Sequence, residues 1–353
     1  MNNPTLPLIY DFSLDELVQT ISKMGEPAYR ARQLWQGIYQ NLWSIPNEFT
    51  TIPQHLLRKL AGDFNFQSLV PSTQLVSRDG QTVKILFSLP NDASIEAVLM
   101  RYDRRQTLCI STQAGCPMKC AFCATGAMGF KRNLSSGEIV EQVLHYARLL
   151  KSENKEVTNV VIMGMGEPFL NYDATLVAVD RLNNPQGMNL GARRFTISTV
   201  GIIPGIQRFT AENRQVNLAI SLHAANDDLR STLLPVNKKY PLSQLIPACR
   251  EYGRQTNRRI TFEWALIQGV NDSINDARQL AQLVTGILCH INIIPLNPTK
   301  TFNGVGSSRD TALAFSRELA RHNIPCTIRL RRGIDIQAGC GQLAIQTNQP
   351  PVL

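Results

Sequence analysis

Three cysteines fall within eight residues, Cys116-Pro117-Met118-Lys119-Cys120-Ala121-Phe122-Cys123, a C-x3-C-x2-C spacing. Three thiolates on one short loop can hold three irons of a [4Fe–4S] cluster. Such clusters are usually held by four cysteines, so a three-cysteine loop leaves one iron open to a substrate or cofactor. Phe122 sets an aromatic ring beside the last of the three. A structural zinc ion completed by a remote cysteine is the other reading. Zinc sites favour paired C-x2-C arms and only one such pair is present, which puts the cluster ahead.

The chain holds eight cysteines: these three with Cys109, Cys249, Cys289, Cys326 and Cys340. Its first residues, MNNPTLPLIYDFSLDEL, show no basic stretch leading into an apolar one. No run reaches the roughly 18 apolar residues of a membrane span. The expected location is therefore the cytoplasm, where thiols stay reduced and clustered cysteines mean metal or redox chemistry. Cys249, Cys289 and Cys326 lie on apolar stretches and read as core residues. Cys340 lies in Gly339-Cys340-Gly341, where a buried cysteine gains little packing, so chemistry is favoured there. Cys109 alternates with Leu108 and Ile110 on a strand, and by itself reads as core.

A second constellation is Gly164-Met165-Gly166-Glu167-Pro168. Glycines let backbone approach a ligand closely, and a carboxylate accepts hydrogen bonds from an ammonium group. The run is not a dinucleotide fingerprint, because G-x-G-x-x-G is incomplete. Alone it is an ordinary turn; its weight comes from where it falls in the fold.

These residues need elements to position them. The first ~70 residues look helical. Ser13 caps a helix with Asp15 and Glu16 in its first turn, Pro27 opens a second, and a third follows Pro53. Thr82–Leu89 and Ile95–Tyr102 then read as paired strands turning at Pro90-Asn91-Asp92. Leu108–Thr112 is a strand that runs into the cysteine loop. A strand–helix rhythm follows: helix from Ser136, strand Val157–Met163, helix Tyr172–Leu182, strand Phe195–Val200, helix Ile203–Thr210, strand Val216–Leu222, helix Leu242–Gln255, strand Ile260–Ile267, helix Ile274–Val284, strand Ile291–Ile294, helix Asp310–Arg321, and strand Cys326–Leu330. Six such units argue for parallel strands under outer helices. A full eight-unit barrel needs about 250 residues, slightly more than remain, so the expected class is α/β, a partial (β/α)6 barrel behind a small N-terminal helical domain. An open doubly wound sheet stays as the alternative. The domain limits are 1–75, helical and accessory, and 76–353, catalytic. In either fold ligands bind at the C-terminal strand ends. The cysteine loop, the Gly164–Pro168 run, Ser198, Ser221 with His223, and Asn297 all fall there.

With the motifs placed, the cysteine spacing with its aromatic resembles the signature of the radical S-adenosylmethionine (SAM) superfamily. The resemblance implies a [4Fe–4S] cluster on Cys116, Cys120 and Cys123. It implies SAM chelated to the open iron and cleaved by an external donor's electron to a 5′-deoxyadenosyl radical. The superfamily carries a motif similar to Gly164–Pro168 that binds the amino group of SAM. Four further stretches narrow the match: Ile95-Glu96-Ala97-Val98-Leu99, Cys109 seven residues before the cluster loop, Ser221-Leu222-His223-Ala224, and Arg332 through Leu343. Together, over nearly the whole chain, they resemble the bacterial dual-specificity ribosomal and transfer RNA adenine-C2 methyltransferases. Gly339 stands where that family has alanine, a small-for-small change.

C2 of adenine is electron-poor and no nucleophile, so ordinary methyl transfer from SAM fails there. By resemblance, Cys340 takes a methyl from one SAM as an S-methylcysteine intermediate. A second SAM supplies the radical that activates this methyl for addition to C2. Glu96 accepts the C2 proton, and Cys109 resolves the adduct through a transient disulfide with Cys340. Gly166, Glu167, Ser198, Ser221, Leu222, His223 and Asn297 bind SAM in the same pattern. Without it, Glu96 is a solvated strand carboxylate, His223 a core histidine, and Ser198 and Asn297 ordinary turn residues.

Charge agrees with an RNA substrate, 23S ribosomal RNA and transfer RNA. The net charge is +9, and Arg101 to Arg132 contains six basic residues against Asp103 alone. Such groups can hold phosphates near the site; surface scatter is the plainer reading of any single one. No membrane is expected as a partner, and the protein is expected to be a monomer. Two other readings remain open: C8 methylation by the related resistance-type enzymes, which share the cluster and both extra cysteines, and a non-catalytic metal-stapled RNA-binding protein.

Overall fold

The structure, a computed structural model, describes residues 6–329 and 331–344. Helices α1 (Leu14–Lys23), α2 (Tyr29–Tyr39) and α3 (Gln54–Asp63) form the N-terminal layer. Ser13 and Glu16 close a capping box: the Ser13 hydroxyl accepts from Glu16 N at 3.2 Å, and Ser13 N donates to the Glu16 carboxylate at 2.7 Å. Strands β1 (Val70–Val76), β2 (Thr82–Leu89) and β3 (Ala93–Tyr102) follow as an antiparallel meander, turning at Asn91 and Asp92, both with positive φ. The β1 strand was not anticipated. It is an edge strand with most side chains exposed, and so carries no hydrophobic alternation.

β4 (Arg105–Cys109) pairs antiparallel with β3 and parallel with β7 (Asn159–Ile162), the next strand of the main sheet. Leu108–Thr112 was expected in its place. The strand ends at Cys109 because the next amides take other partners: Ser111 N donates to the Gln142 side chain at 2.8 Å and Thr112 N to Met165 O at 2.9 Å. The small β5 (Gln113–Gly115) and β6 (Phe130–Asn133) then pair with each other across the cysteine loop, with α4 (Ala124–Ala127) between them.

The remainder alternates as expected: α5 (Ser136–Lys151), β7 (Asn159–Ile162), α6 (Tyr172–Asn183), β8 (Phe195–Thr199), α7 (Ile203–Glu212), β9 (Asn217–Ser221), α8 (Asp227–Leu233), α9 (Leu242–Thr256), β10 (Ile260–Leu266), α10 (Ile274–Val284), β11 (Cys289–Pro295), α11 (Arg309–Arg321) and β12 (Cys326–Ile328). Leu330, the end of the last expected strand, lies outside the described residues.

The main sheet runs β1-β2-β3-β4-β7-β8-β9-β10-β11-β12. From β4 onward every pairing is parallel and strictly sequential. A doubly wound sheet reverses strand order at its switch point, so this order is that of the partial barrel with six strand–helix crossovers. The sheet curls. Past β12 the chain crosses back to the meander: Arg332 Nη1 donates to Arg101 O at 3.1 Å, and Arg78 N to the Asp335 carboxylate at 2.8 Å.

One hydrophobic core joins the helical layer to the barrel, from Leu17, Trp35 and Phe49 through Ile139 and Tyr146 to Phe262 and Trp264. Polar pins add to the docking. Asp11 accepts from Gly137 N at 2.7 Å, and Arg181 Nη1 donates to Tyr10 O at 2.8 Å. No helix among the described residues is long and apolar enough to cross a membrane.

Candidate active site

The cysteine loop leaves the barrel through a narrow neck. Gly115 has φ +75°, and a Cβ there would meet Gly129 O at 2.0 Å, so only glycine fits between the two short strands. Cys116 N donates to Gly129 O at 2.8 Å, Ala121 N to Leu233 O at 2.9 Å and Ala124 N to Gly341 O at 2.8 Å. The loop is thus tied to its own neck, to α8 and to the chain around Cys340. Burial pushes the Cys116 thiol up to about 12 and the Cys120 thiol well above its ordinary value. Thiols in such surroundings ionise when a cation takes the proton's place.

All three cysteines line one cavity of about 970 Å³ with an open mouth. No three Cys, His, Asp or Glu side chains among the described residues converge on a single-ion site. A structural zinc ion takes four ligands, whereas three thiolates around one cavity can each take one iron of a cluster and leave the fourth open. The donor set and the space therefore fit a [4Fe–4S] cluster.

Gly164, Gly166, Glu167, Ser198, Ser221, His223, Asn297 and Cys340 line the same cavity. Gly166 has φ +105° and packs on Gln113, where a Cβ would come within 2.6 Å of that side chain. The buried Glu167 carboxylate accepts from Phe169 N at 3.0 Å and Val200 N at 2.9 Å, and burial pushes it up to about 7. His223, at φ 60°, accepts at Nδ1 from Ala265 N at 2.9 Å. Burial, with a smaller effect of Arg230, holds this ring down to about 3. It is therefore neutral with its proton on Nε2, a donor-bearing edge fixed by the backbone. Its ring stands edge-on to Phe122 at 4.9 Å. Leu222 differs from its neighbours: its side chain is fully buried and does not line the cavity, so only its backbone is available there. Asn297 donates from Nδ2 to Cys340 O at 3.1 Å, while its buried Oδ1 has no partner.

A second cavity, about 820 Å³, adjoins the first and shares Cys123, Asn297 and Cys340 with it. Cys109 lines its wall. Cys109 is buried and Cys340 exposed, and both are free thiols. Burial, with Cys340 nearby, pushes Cys109 up to about 12; the opposing influence is the Arg329 guanidinium. Arg329, Arg331 and Arg332 line this cavity. Arg332 lies 4.4 Å over the Tyr102 ring. Arg329 Nη1 stands 3.9 Å from Glu263 Oε2, and Glu263 Oε1 accepts from Asn292 Nδ2 at 3.0 Å.

Glu96 is not brought to either cavity. Register places it on the same sheet face as Val98, the partner of Cys109, two residues further along β3. Its carboxylate is buried, 3.2 Å from Lys84 Nζ, and accepts from Ala344 N at 3.1 Å. It faces a separate space of about 460 Å³ lined by Asp335, Ile336 and Gln337. Burial raises it and Lys84 opposes that.

Sequence reasoning gave no role to Glu263, Arg230 or Arg329. A signal for Glu263 existed: an acid inside the apolar strand Ile260-Thr261-Phe262-Glu263-Trp264-Ala265-Leu266 must face a polar interior. Arg230 had none, being one charge among several on a short helix.

A sequential parallel partial barrel with a three-cysteine loop after its first strand defines a radical SAM enzyme, and residues 110–281 match the family model described as "Radical SAM superfamily". The chain is 45% identical over 340 residues to the probable dual-specificity RNA methyltransferase RlmN of Geobacillus kaustophilus, covering 96% of this chain and 93% of that one. Its identity to the dual-specificity RNA methyltransferase RlmN 1 of Myxococcus xanthus is also 45%, over 343 residues, 97% of this chain and 96% of that one. The crystal structure of a radical SAM methyltransferase from Sphaerobacter thermophilus superposes with a TM-score of 0.94 at 47% identity, covering 96% of this chain and 99% of that one. The chain belongs to the dual-specificity RNA methyltransferase RlmN family. It is a SAM-dependent RNA methyltransferase whose cofactors are a [4Fe–4S] cluster and SAM.

Proposed function

We propose that this enzyme methylates C2 of an adenine in 23S ribosomal RNA and in transfer RNA, working in the cytoplasm as a monomer with an external electron donor. The supporting observation is the shared wall of the two cavities. Cys340 stands between the space ringed by Cys116, Cys120 and Cys123 and the space lined by Cys109. A methyl carried on Cys340 can face either one.

In this reading the three loop cysteines hold the cluster. Gly166, Glu167, Ser198, Ser221, the Leu222 backbone, His223 and Asn297 hold SAM. Cys340 accepts a methyl as its thiolate: the new S–C bond forms as the sulfonium–methyl bond of SAM breaks, and the thiol proton goes to solvent. The cluster and SAM, when bound, supply the hydrogen-atom abstraction that makes this methyl able to add to an electron-poor carbon. Glu96 takes the C2 proton, which requires residues 335–344 to lift from it. The cluster, when bound, would also supply the acceptor for the one electron that the adduct gives up; Cys109 thiolate then attacks the Cys340 sulfur. The S–S bond forms and the S–C bond breaks, leaving its electron pair on the carbon that takes a proton to become the methyl group. Arg329 favours the Cys109 thiolate in this step. The RNA must present its base unstacked. Residues 1–75 serve as an accessory RNA-binding domain ahead of the catalytic part at 76–353.

The test is mass analysis of nucleosides from both RNAs after anaerobic incubation with iron-loaded enzyme, reductant and SAM. 2-Methyladenosine is expected. 8-Methyladenosine would overturn the regiochemistry, and no methylated adenine from an intact cluster would overturn the substrate.

A further inference from the structure

Arg230 is the most deeply buried charged side chain near the site, with no exposed surface. It projects from α8, and four oxygens receive its guanidinium. Nε donates to Leu222 O at 3.2 Å and Nη1 to Asn237 Oδ1 at 2.7 Å. Nη2 donates to Val200 O at 2.8 Å and to Ser221 O at 3.3 Å. Three of the four are carbonyls just at or beyond the ends of β8 and β9, where the SAM residues lie. Val200 is held from both sides, since its N–H donates to Glu167 at 2.9 Å. A continuous set of bonds therefore runs from Glu167 through Val200 and Arg230 to Ser221 and Leu222.

The same helix holds the cysteine loop. Leu233 O accepts from Ala121 N at 2.9 Å, and Leu233 and Leu234 pack with Cys120 and Phe122. One short helix thus grips the loop by its C-terminal end and the strand ends by Arg230.

The charge itself needs an account. No carboxylate pairs with Arg230 among the described residues: its four acceptors are neutral. Asp227 spends its Oδ1 on Asn237 Nδ2 at 2.9 Å and Leu242 N at 2.8 Å. Burying an unpaired cation costs several kcal/mol, and burial here pulls the guanidinium down to about 10. Cys249, Asp227 and Cys120 oppose that fall, and an anionic, thiolate-bound cluster on the docked loop would add further compensating charge. A fixed cation nearby favours the more negative, reduced state of such a cluster, because net charge and hydrogen bonding set its potential.

We propose that Arg230 is a positioning residue that aligns the ends of β8 and β9 for SAM and, through its buried charge, makes the cluster easier to reduce. This rests on the assignment of Cys116, Cys120 and Cys123 to the cluster and of the strand ends to SAM.

The experiment compares iron-loaded wild type with Arg230→Lys, Arg230→Gln and Arg230→Met. It measures iron per chain, SAM affinity by calorimetry, and the cluster midpoint by spin-resonance-monitored potentiometry. Arg230→Met and Arg230→Gln are expected to keep their iron, to shift the midpoint to more negative potential, and to bind SAM about tenfold more weakly, the scale of a lost charge-assisted hydrogen bond. Arg230→Lys keeps the charge but not the planar fork, so its midpoint stays near wild type while SAM still binds weakly. If Arg230→Met does not fold, Arg230→Gln decides the charge and Arg230→Lys the alignment. An unchanged midpoint in a neutral variant that retains its iron overturns the electrostatic role. Wild-type SAM affinity in Arg230→Lys overturns the positioning role. A wild-type protein without a redox-active cluster overturns the underlying cofactor assignment, and the proposal with it.

Discussion

The cysteines divide by surroundings as well as by spacing. Cys116, Cys120 and Cys123 ring one cavity, Cys123 reaching the second as well, whereas Cys340 is exposed on the wall that the two share. Their variants should therefore fail differently. Cys120→Ala loses the cluster, read as iron per chain falling toward zero, and with it all SAM cleavage. Cys340→Ala keeps its full iron but never carries a methyl group on the protein, read by peptide mass; a methylated residue elsewhere would displace Cys340 from its role. Cys109→Ala is predicted to strand the RNA as a covalent adduct, visible as a shifted band in a denaturing gel, because no thiolate remains to break the S–C bond. Free turnover by this variant would mean that Cys109 is a core residue after all. The three loop cysteines were legible because iron chemistry fixes residue type and spacing within one loop, whereas the roles of Cys109 and Cys340 came from the family resemblance. Glu263 and Arg329 were not, because they meet from β10 and from the segment after β12. The separation of Glu96 from the cavities was likewise invisible, since it depends on residues 335–344, remote in sequence, folding over β2 and β3.

At the scale of elements, the strand–helix rhythm was readable because buried parallel strands are apolar throughout and outer helices keep a 3.6-residue period. What escaped were β1, β5 and β6, whose side chains are mostly exposed or whose length is too short for any period to show. The polar pins at the seam between helical layer and barrel also escaped, because each joins residues far apart in the sequence. Glu141 on α5 is one: it accepts from Ser68 N at 3.0 Å and Leu69 N at 3.2 Å in the link that leads to β1. Burial outweighs these bonds and pushes it up to about 8 from the ordinary 4.5. The folded state therefore holds this proton more tightly than the unfolded chain. The contribution to stability is whole below about pH 4.5 and declines as pH rises toward 8. Glu141→Gln removes the titration. Between pH 5.5 and 8.5, as assay conditions of about that range, the wild type is expected to lose several degrees of melting temperature more than the variant, at roughly 2 °C per kcal/mol for a large domain. Parallel loss in both proteins would show that the carboxylate stays ionised and is held by its two amides.

For the whole molecule, the count of 36 basic residues overstates what RNA can feel. Many of the bases are already paired: Arg101 with Glu153 at 2.6 Å, Arg132 with Glu138 at 2.7 Å, Arg214 with Asp180 at 2.6 Å, and Arg254 with Glu251 at 2.6 Å. The basic run from Arg101 to Arg132, counted as one patch in the sequence, is thus partly neutralised within the fold. Arg331 is different, being exposed on the wall of the cavity that holds Cys109. Lys119 is exposed on the cysteine loop. Lys119 lies between Met118 and Cys120 of the first cavity and Arg331 on the wall of the second, so both are expected to meet phosphates directly. RNA affinity measured from low to moderate salt should fall linearly on logarithmic axes, because each neutralised phosphate releases condensed counterions. Arg331→Gln and Lys119→Gln are each predicted to reduce that slope by roughly one unit. Arg254→Gln removes the same formal charge, but from a guanidinium that Glu251 already occupies on the outer helix α9, and should leave the slope unchanged. Equal losses from all three would mean that the RNA responds to total charge alone. A loss confined to Arg331 and Lys119 would place the phosphate path across the mouth shared by the cysteine loop and the chain around Cys340.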